Sequence, residues 1–107
     1  MDPIHLPLVP ENKNHTWQTF HVRLNETLDR DTVIGYLAEN RIGSNYGAQC
    51  IPFQKYYKDK YHLDCDKDFP NALSLFKSGL ALPLYETLKE EDIRNVVDIL
   101  KKHILKV

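Results

Sequence analysis

The segment TWQTFHVRL (residues 16–24) constrains the fold more than any other stretch, because its side chains alternate in polarity. The mainly apolar set consists of Gln18, Phe20, Val22 and Leu24. The opposite set consists of Trp17, Thr19, His21 and Arg23. A period of two is typical of a β-strand with one buried face. The sequence therefore predicts a strand over 16–24, which needs a paired strand and a covering layer of helices.

A helix over 30–41 is predicted directly after this strand. Asp29 precedes it and is expected to accept hydrogen bonds from the free amides of the first turn. Its apolar side consists of Val33, Ile34 and Leu37, and its polar side of Arg30, Asp31, Glu39 and Asn40. Gly43 is expected to turn the chain away after the helix.

Three more helices and one more strand follow in the sequence. One helix is predicted from about 53 to 62, and a second has Asp68 as its cap and Pro70 in its first turn. The segment LALPL (80–84) predicts a short buried strand or an extended segment broken by Pro83, and residues 44–51 are extended or looped. Thr87 and Glu90 form a capping box for a last helix, whose apolar stripe is Ile93, Val96, Val97, Leu100 and Ile104. This order predicts an α+β fold, with a sheet of about three strands and helices packed mainly on one face.

Length and charge limit the class of protein. A chain of 107 residues predicts one domain. Residues 1–14, with three prolines, are interpreted as an extended lead-in and residues 15–107 as the domain. With 14 basic and 15 acidic residues the net charge is −1, which argues against nucleic acid or an anionic membrane as partner. No apolar run reaches the length of a membrane span and no signal peptide is recognisable, so a cytoplasmic location is expected.

No complete catalytic or metal site is recognisable from residue types. His62, Cys65 and Cys50 could contribute to a zinc site, but a second closely spaced ligand pair is missing, and surface residues are the favoured interpretation. The acidic stretch from Asp64 to Asp68 lacks the glycine and glutamate of a calcium loop. A small complete enzyme that uses Cys65 or His62 would need a formed pocket and an activated group. The two cysteines are expected to be free thiols.

The stretch GSNYGAQCIPFQKYY (43–57) has neither helical nor strand periodicity. It is either a surface loop or a polar wall against something outside the chain. Three tyrosines, Tyr56, Tyr57 and Tyr61, lie together with Phe53 on one helical face. They could form a stacking platform for bases or sugars, although packing in the core is the favoured interpretation.

Five segments stand in order along most of the chain: NHTWQTFHVRL, LDRDTVIGYLAENRIGSNYGAQ, QKYYKDKY, DFPNA and LALPLYETLKEEDIRNVV. Together they resemble the C-terminal part of the DegT/DnrJ/StrS family of PLP-dependent aminotransferases, which act on nucleotide-linked keto-sugars. The resemblance covers about residues 4–104. It depends mainly on DRD (29–31), DFPNA (68–72) and LALPLY (80–85).

The resemblance implies a small α+β domain that works with a large PLP-binding domain, present in cis or in trans. The lysine that holds PLP and the carboxylate that pairs with its pyridine nitrogen would belong to that large domain. We therefore expect no catalytic residue and no cofactor in this chain alone, as in a fragment, a split-gene product or a degenerate remnant. Family members work as dimers, so a homodimer is possible.

The resemblance also gives segment 42–57 a place near the substrate cleft. Asn45, Tyr46 and Gln49 are expected to face the nucleotide-sugar or the large domain, since amide and phenol groups can bond sugar hydroxyls. Many relatives have a histidine where Gly47 or Pro52 stands here.

The leading hypothesis is thus the small domain of an aminotransferase that makes amino sugars for surface polysaccharide. The alternative is a freestanding, non-catalytic binding module derived from that domain. Arg41 stands where the family usually has a glycine. An apolar surface of several hundred Å² would distinguish the two hypotheses, because a freestanding module would have covered it.

Overall fold

The computed structural model describes residues 3–105 and has an α+β fold, as predicted. Its antiparallel sheet has the order β1-β2-β3, formed by Ile4–His5 (β1), Phe20–Leu24 (β2) and Gly79–Leu82 (β3). The helices are Arg30–Glu39 (α1), Lys55–Tyr61 (α2), Cys65–Asp68 (α3), Pro70–Ser78 (α4) and Glu90–Leu105 (α5), with a 3-10 turn at Ile51–Phe53. The ends of the predicted lead-in (1–14) and domain (15–107) lie outside the described residues, and the boundary between the two stays a prediction.

The core lies between the sheet and helices α1 and α5. In the β2–β3 pair Val22 lies opposite Leu80, and both side chains are almost completely buried. The core cluster contains residues from the sheet, α1, the following turn and α5: Val22, Leu24, Val33, Leu37, Ile42, Leu80 and Leu100. The apolar face that the sequence predicts for β2 is therefore the face that holds the core.

Strand β2 is shorter than predicted, because the chain turns at Trp17. This residue has a left-handed backbone (φ 53°), and its N–H donates to His15 Nδ1 at 2.8 Å. The described sheet also contains β1, which lies inside the segment interpreted as a lead-in. Its Ile4 pairs with Leu24 of β2. Its two residues are too few to show a period in the sequence.

Helix α1 begins as predicted and ends differently. The carboxylate of Asp29 accepts from the N–H of Thr32 at 3.2 Å, which confirms the cap. At the other end Arg41, and not Gly43, turns the chain with a left-handed φ of 63°. Ile42 N–H bonds to Leu37 O at 2.9 Å and Arg41 N–H to Ala38 O at 3.0 Å. This is a Schellman motif, whose left-handed position favours glycine, so an arginine there carries backbone strain.

Helices α4 and α5 do not begin at the caps that the sequence predicts for them. Asp68 does not cap α4, because it is the last residue of α3. Helix α3 has its own cap, since the side chain of Asp64 accepts from the N–H of Lys67. Thr87 does not cap α5, since a turn at residues 85–88 delays the helix to Glu90. There the Asp92 carboxylate accepts from the N–H of Lys89 at 3.2 Å. Within residues 3–105, none of the helices has the length and apolar character to cross a membrane.

Candidate functional site

The segment of residues 43–50, called the polar loop below, runs along the free edge of β3. Asn45 forms an isolated bridge with Ala81, in which Ala81 N–H donates to Asn45 O at 2.7 Å. Asn45 N–H returns a longer bond to Ala81 O at 3.4 Å. The sheet therefore fixes the start of the loop, and the following residues stand free of regular structure.

The structure brings the three predicted site residues together. Gln49 Nε2 donates to Tyr46 Oη at 3.0 Å, and Asn45 Oδ1 accepts from the N–H of Gly47 at 2.6 Å. Residues 45–49 line an open depression of about 390 Å³. All three side chains are exposed to solvent. The loop thus presents two amides and a phenol on one uncharged polar surface, which can bond hydroxyl groups.

His21 supports the loop from the outward face of β2. Gly47 has a φ of 72°, and a Cβ atom there would lie 2.7 Å from His21 Cδ2 and 3.2 Å from Ala81 Cβ. The loop can therefore approach the imidazole only because residue 47 is a glycine. His21 Nε2 and the hydroxyl of Ser44 are buried without a hydrogen-bond partner within residues 3–105. Buried polar atoms are normally paired, so these two atoms beneath the loop are exceptions.

Arg30 belongs to the polar side that the sequence predicts for α1, but the structure buries it. Only 9% of Arg30 is exposed. Its guanidinium donates to the backbone carbonyls of Phe76 and Gly79 and to the Asp31 carboxylate. The same group lies 5.2 Å from the centre of the Tyr46 ring. A cation in the first turn of a helix opposes the helix dipole, and this unusual position was the available signal.

The aromatic cluster on α2 is not part of the core, contrary to the favoured prediction. Tyr56 is 63% exposed and Tyr61 is 57% exposed. Tyr57 and Tyr61 lie parallel with their ring centres 6.5 Å apart. None of the residues of α2 is buried, so this helix contributes no side chain to the core.

Cys65 does not have the surroundings of an activated nucleophile. Cys50 and Cys65 are free and buried. Burial raises the pKa of the Cys65 thiol, and the nearby Cys50 and Asp64 raise it further. A reactive thiol needs a lowered pKa. Within the described part of the chain, no group of three His, Cys, Asp or Glu side chains is arranged to hold a metal ion.

A second surface feature is an apolar groove between α5 and the face of the sheet that also holds the core. It has a volume of about 560 Å³. Much of its wall is open to solvent: Leu6 is 67% exposed and Ile93 is 47% exposed, although both are large apolar residues. The complete lining is Ile4, Leu6, Phe20, Val22, Leu82, Pro83, Leu84, Leu88, Ile93, Val96, Val97, Leu100 and Lys101.

The contact between Gly47 and His21 predicts the effect of adding one methyl group. We expect Gly47→Ala to lower the free energy of unfolding by about 1–3 kcal/mol, because alanine is strained at positive φ. The control is Gly35→Ala in α1, where nothing lies within 4 Å of the new Cβ; we expect it to raise stability by about 0.5–1 kcal/mol. Urea unfolding of both variants checks this. Equal effects of the two substitutions would contradict the positive φ at Gly47 and the close approach of this residue to His21.

Comparison with known proteins gives one consistent result. Residues 2–101 match the model of the DegT/DnrJ/EryC1/StrS aminotransferase family. The spore coat polysaccharide biosynthesis protein SpsC of Bacillus subtilis (strain 168) is 26% identical over 99 residues, which are 89% of this chain and 25% of SpsC.

Solved structures show the same fold. Spr1654 of Streptococcus pneumoniae, described as a sugar aminotransferase and solved in its PLP form, has a TM-score of 0.84 at 23% identity. The match covers 97% of this chain and 27% of Spr1654. DesV of S. venezuelae, solved with a ketimine intermediate, has a TM-score of 0.80 at 21% identity over 99% of this chain and 28% of DesV. The chain thus spans about a quarter of the length of these relatives, and it belongs to the DegT/DnrJ/EryC1/StrS aminotransferase family.

Proposed function

We propose that this chain is the C-terminal small domain of a PLP-dependent aminotransferase that acts on nucleotide-linked keto-sugars. It works in the cytoplasm with a large PLP-binding domain, in cis or in trans, in the synthesis of amino sugars for surface polysaccharide. Family membership supports this proposal. So does the relative SpsC, whose name places it in spore coat polysaccharide biosynthesis.

The apolar groove carries the proposal. A freestanding module gains nothing from a wide apolar groove open to water, and such surfaces usually mark an interface. The large domain is the occupant that fits best, because the relatives are about four times longer than the region they share with this chain. The alternative, an independent binding module, would have replaced residues such as Leu6 and Ile93 by polar ones.

The surroundings of the lysines support the assignment of the cofactor to the large domain. When bound, PLP supplies the electron sink of the transamination. The lysine that holds it must lie in a closed pocket where its amine can lose a proton. Every lysine within residues 3–105 is exposed. The lysines of the described residues therefore do not fit the cofactor, and we assign these residues no step that uses it.

The polar loop is our proposed contribution to the substrate cleft. Asn45, Tyr46 and Gln49 would bond the hydroxyls of the sugar while adding no charge near its carbonyl group. The bond between Gln49 and Tyr46 holds both side chains in place before the sugar arrives, which lowers the entropy cost of binding.

A charge placed in the groove tests the docking of the large domain. We expect Val97→Glu to change the stability of the isolated chain by less than about 1 kcal/mol, because Val97 is already partly exposed. In the enzyme assembled with the PLP-binding domain, the same charge would be buried and cost about 3 kcal/mol or more. The control Asn95→Glu adds the same charge to α5 outside the apolar groove. Thermal unfolding of both forms measures the difference, and equal losses in both forms would contradict docking at the groove.

A substitution in the polar loop tests the substrate contact. We expect Gln49→Leu in the assembled enzyme to raise the KM for the nucleotide keto-sugar roughly tenfold, as for the loss of one hydrogen bond. The PLP absorbance should not change. The control Gln18→Leu replaces an exposed glutamine outside the loop and should leave KM as it is. An unchanged KM for Gln49→Leu would show that the loop does not bind the sugar.

A further inference from the structure

Arg30 connects three parts of the chain that meet at the polar loop. It lies in the first turn of α1, it bonds the junction of α4 and β3, and it lies against the ring of Tyr46. We propose that Arg30 is a positioning residue that holds Tyr46, and with it Gln49, in the orientation used for substrate. This inference rests on the proposed function of the loop.

Hydrogen bonds fix the guanidinium before it meets the tyrosine. Nη1 donates to the backbone carbonyls of Phe76 and Gly79, the latter at 3.4 Å. Nε donates to the Asp31 carboxylate at 2.9 Å. Since the bonds leave the two edges of the planar group in different directions, they set its plane as well as its place.

Two aromatic rings that contact each other lie next to the guanidinium. The guanidinium carbon lies 5.2 Å from the ring centre of Tyr46 and 5.3 Å from that of Phe76. The two rings meet edge to face at 5.5 Å. Both distances are within the range of cation–π attraction, which is stronger when the cation is shielded from water. Tyr46 thus has a charged contact at its ring and a bond from Gln49 at its hydroxyl.

An arginine is required for this geometry. Burial of a cation at a helix N-terminus is unfavourable, so its contacts must offset that cost. The ammonium group of a lysine is a compact, strongly hydrated charge, and it cannot bond two carbonyls while it presents a flat face to aromatic rings. We therefore expect Arg30→Lys to keep the charge and to release Tyr46.

The test is NMR of the 107-residue chain without any ligand, on Arg30→Lys and on the control Arg94→Lys. Arg94 is exposed and makes an ordinary ion pair with Glu90. For Arg30→Lys we expect the Tyr46 ring signals to move towards those of free tyrosine. Exchange of the Ala81 amide, which bonds to Asn45 O, should become about tenfold faster, with the Leu100 amide within about twofold of its original rate.

Unchanged Tyr46 signals would overturn the proposal. An equal acceleration at Ala81 and Leu100 would also overturn it, because Arg30 would then act on overall stability only. If Arg30→Lys does not fold, nuclear Overhauser contacts between the Arg30 side chain and the Tyr46 ring in the unaltered chain provide the second measurement, and their absence would equally reject the proposal. Since no ligand is used, such a result leaves the proposed function standing, and an unchanged KM for Gln49→Leu would leave the Arg30–Tyr46 contact standing.

Discussion

The pairing of β2 with β3 is the contact on which the rest of the structure depends. It brings residues 20–24 beside residues 79–82, and the two faces of this pair have different tasks. On one face Val22 and Leu80 anchor the core under α1 and α5. On the other face His21 lies opposite Ala81, which in turn holds Asn45. A shift of the register by one residue would exchange the two faces, so the core and the polar loop depend on the same register.

Two separate surfaces of the domain are open to contact from outside it, the apolar groove and the polar loop. The apolar groove leaves Leu6 and Ile93 open to water, and the polar loop exposes the side chains of Asn45, Tyr46 and Gln49. One surface calls for apolar contact and the other for hydrogen bonds. A domain that packs on a larger enzyme and closes one side of its substrate cleft needs both kinds of surface, which is why we favour that function over an independent module.

Local physical chemistry explains which features could be predicted from the sequence. The Asp29 cap and the alternation through Val22 and Leu24 depend on neighbours a few residues away, so the sequence was sufficient. The burial of Arg30 depends on carbonyls at Phe76 and Gly79, far along the chain, and no local pattern contains them. The left-handed turn at Arg41 was likewise missed, because glycine is the usual residue there. Asn45, Tyr46 and Gln49 line one depression, and their contact with the nucleotide-sugar or the large domain stays a prediction.

The most direct test of the account is capture of the native protein from its host with an antibody raised against this domain. Reduction with borohydride before digestion would fix any PLP to its lysine. We predict that the captured material contains a pyridoxyl-lysine peptide from a large domain, either in the same polypeptide or in a second one. Capture of a 12.5 kDa chain alone, without a pyridoxyl-lysine peptide, would contradict the account.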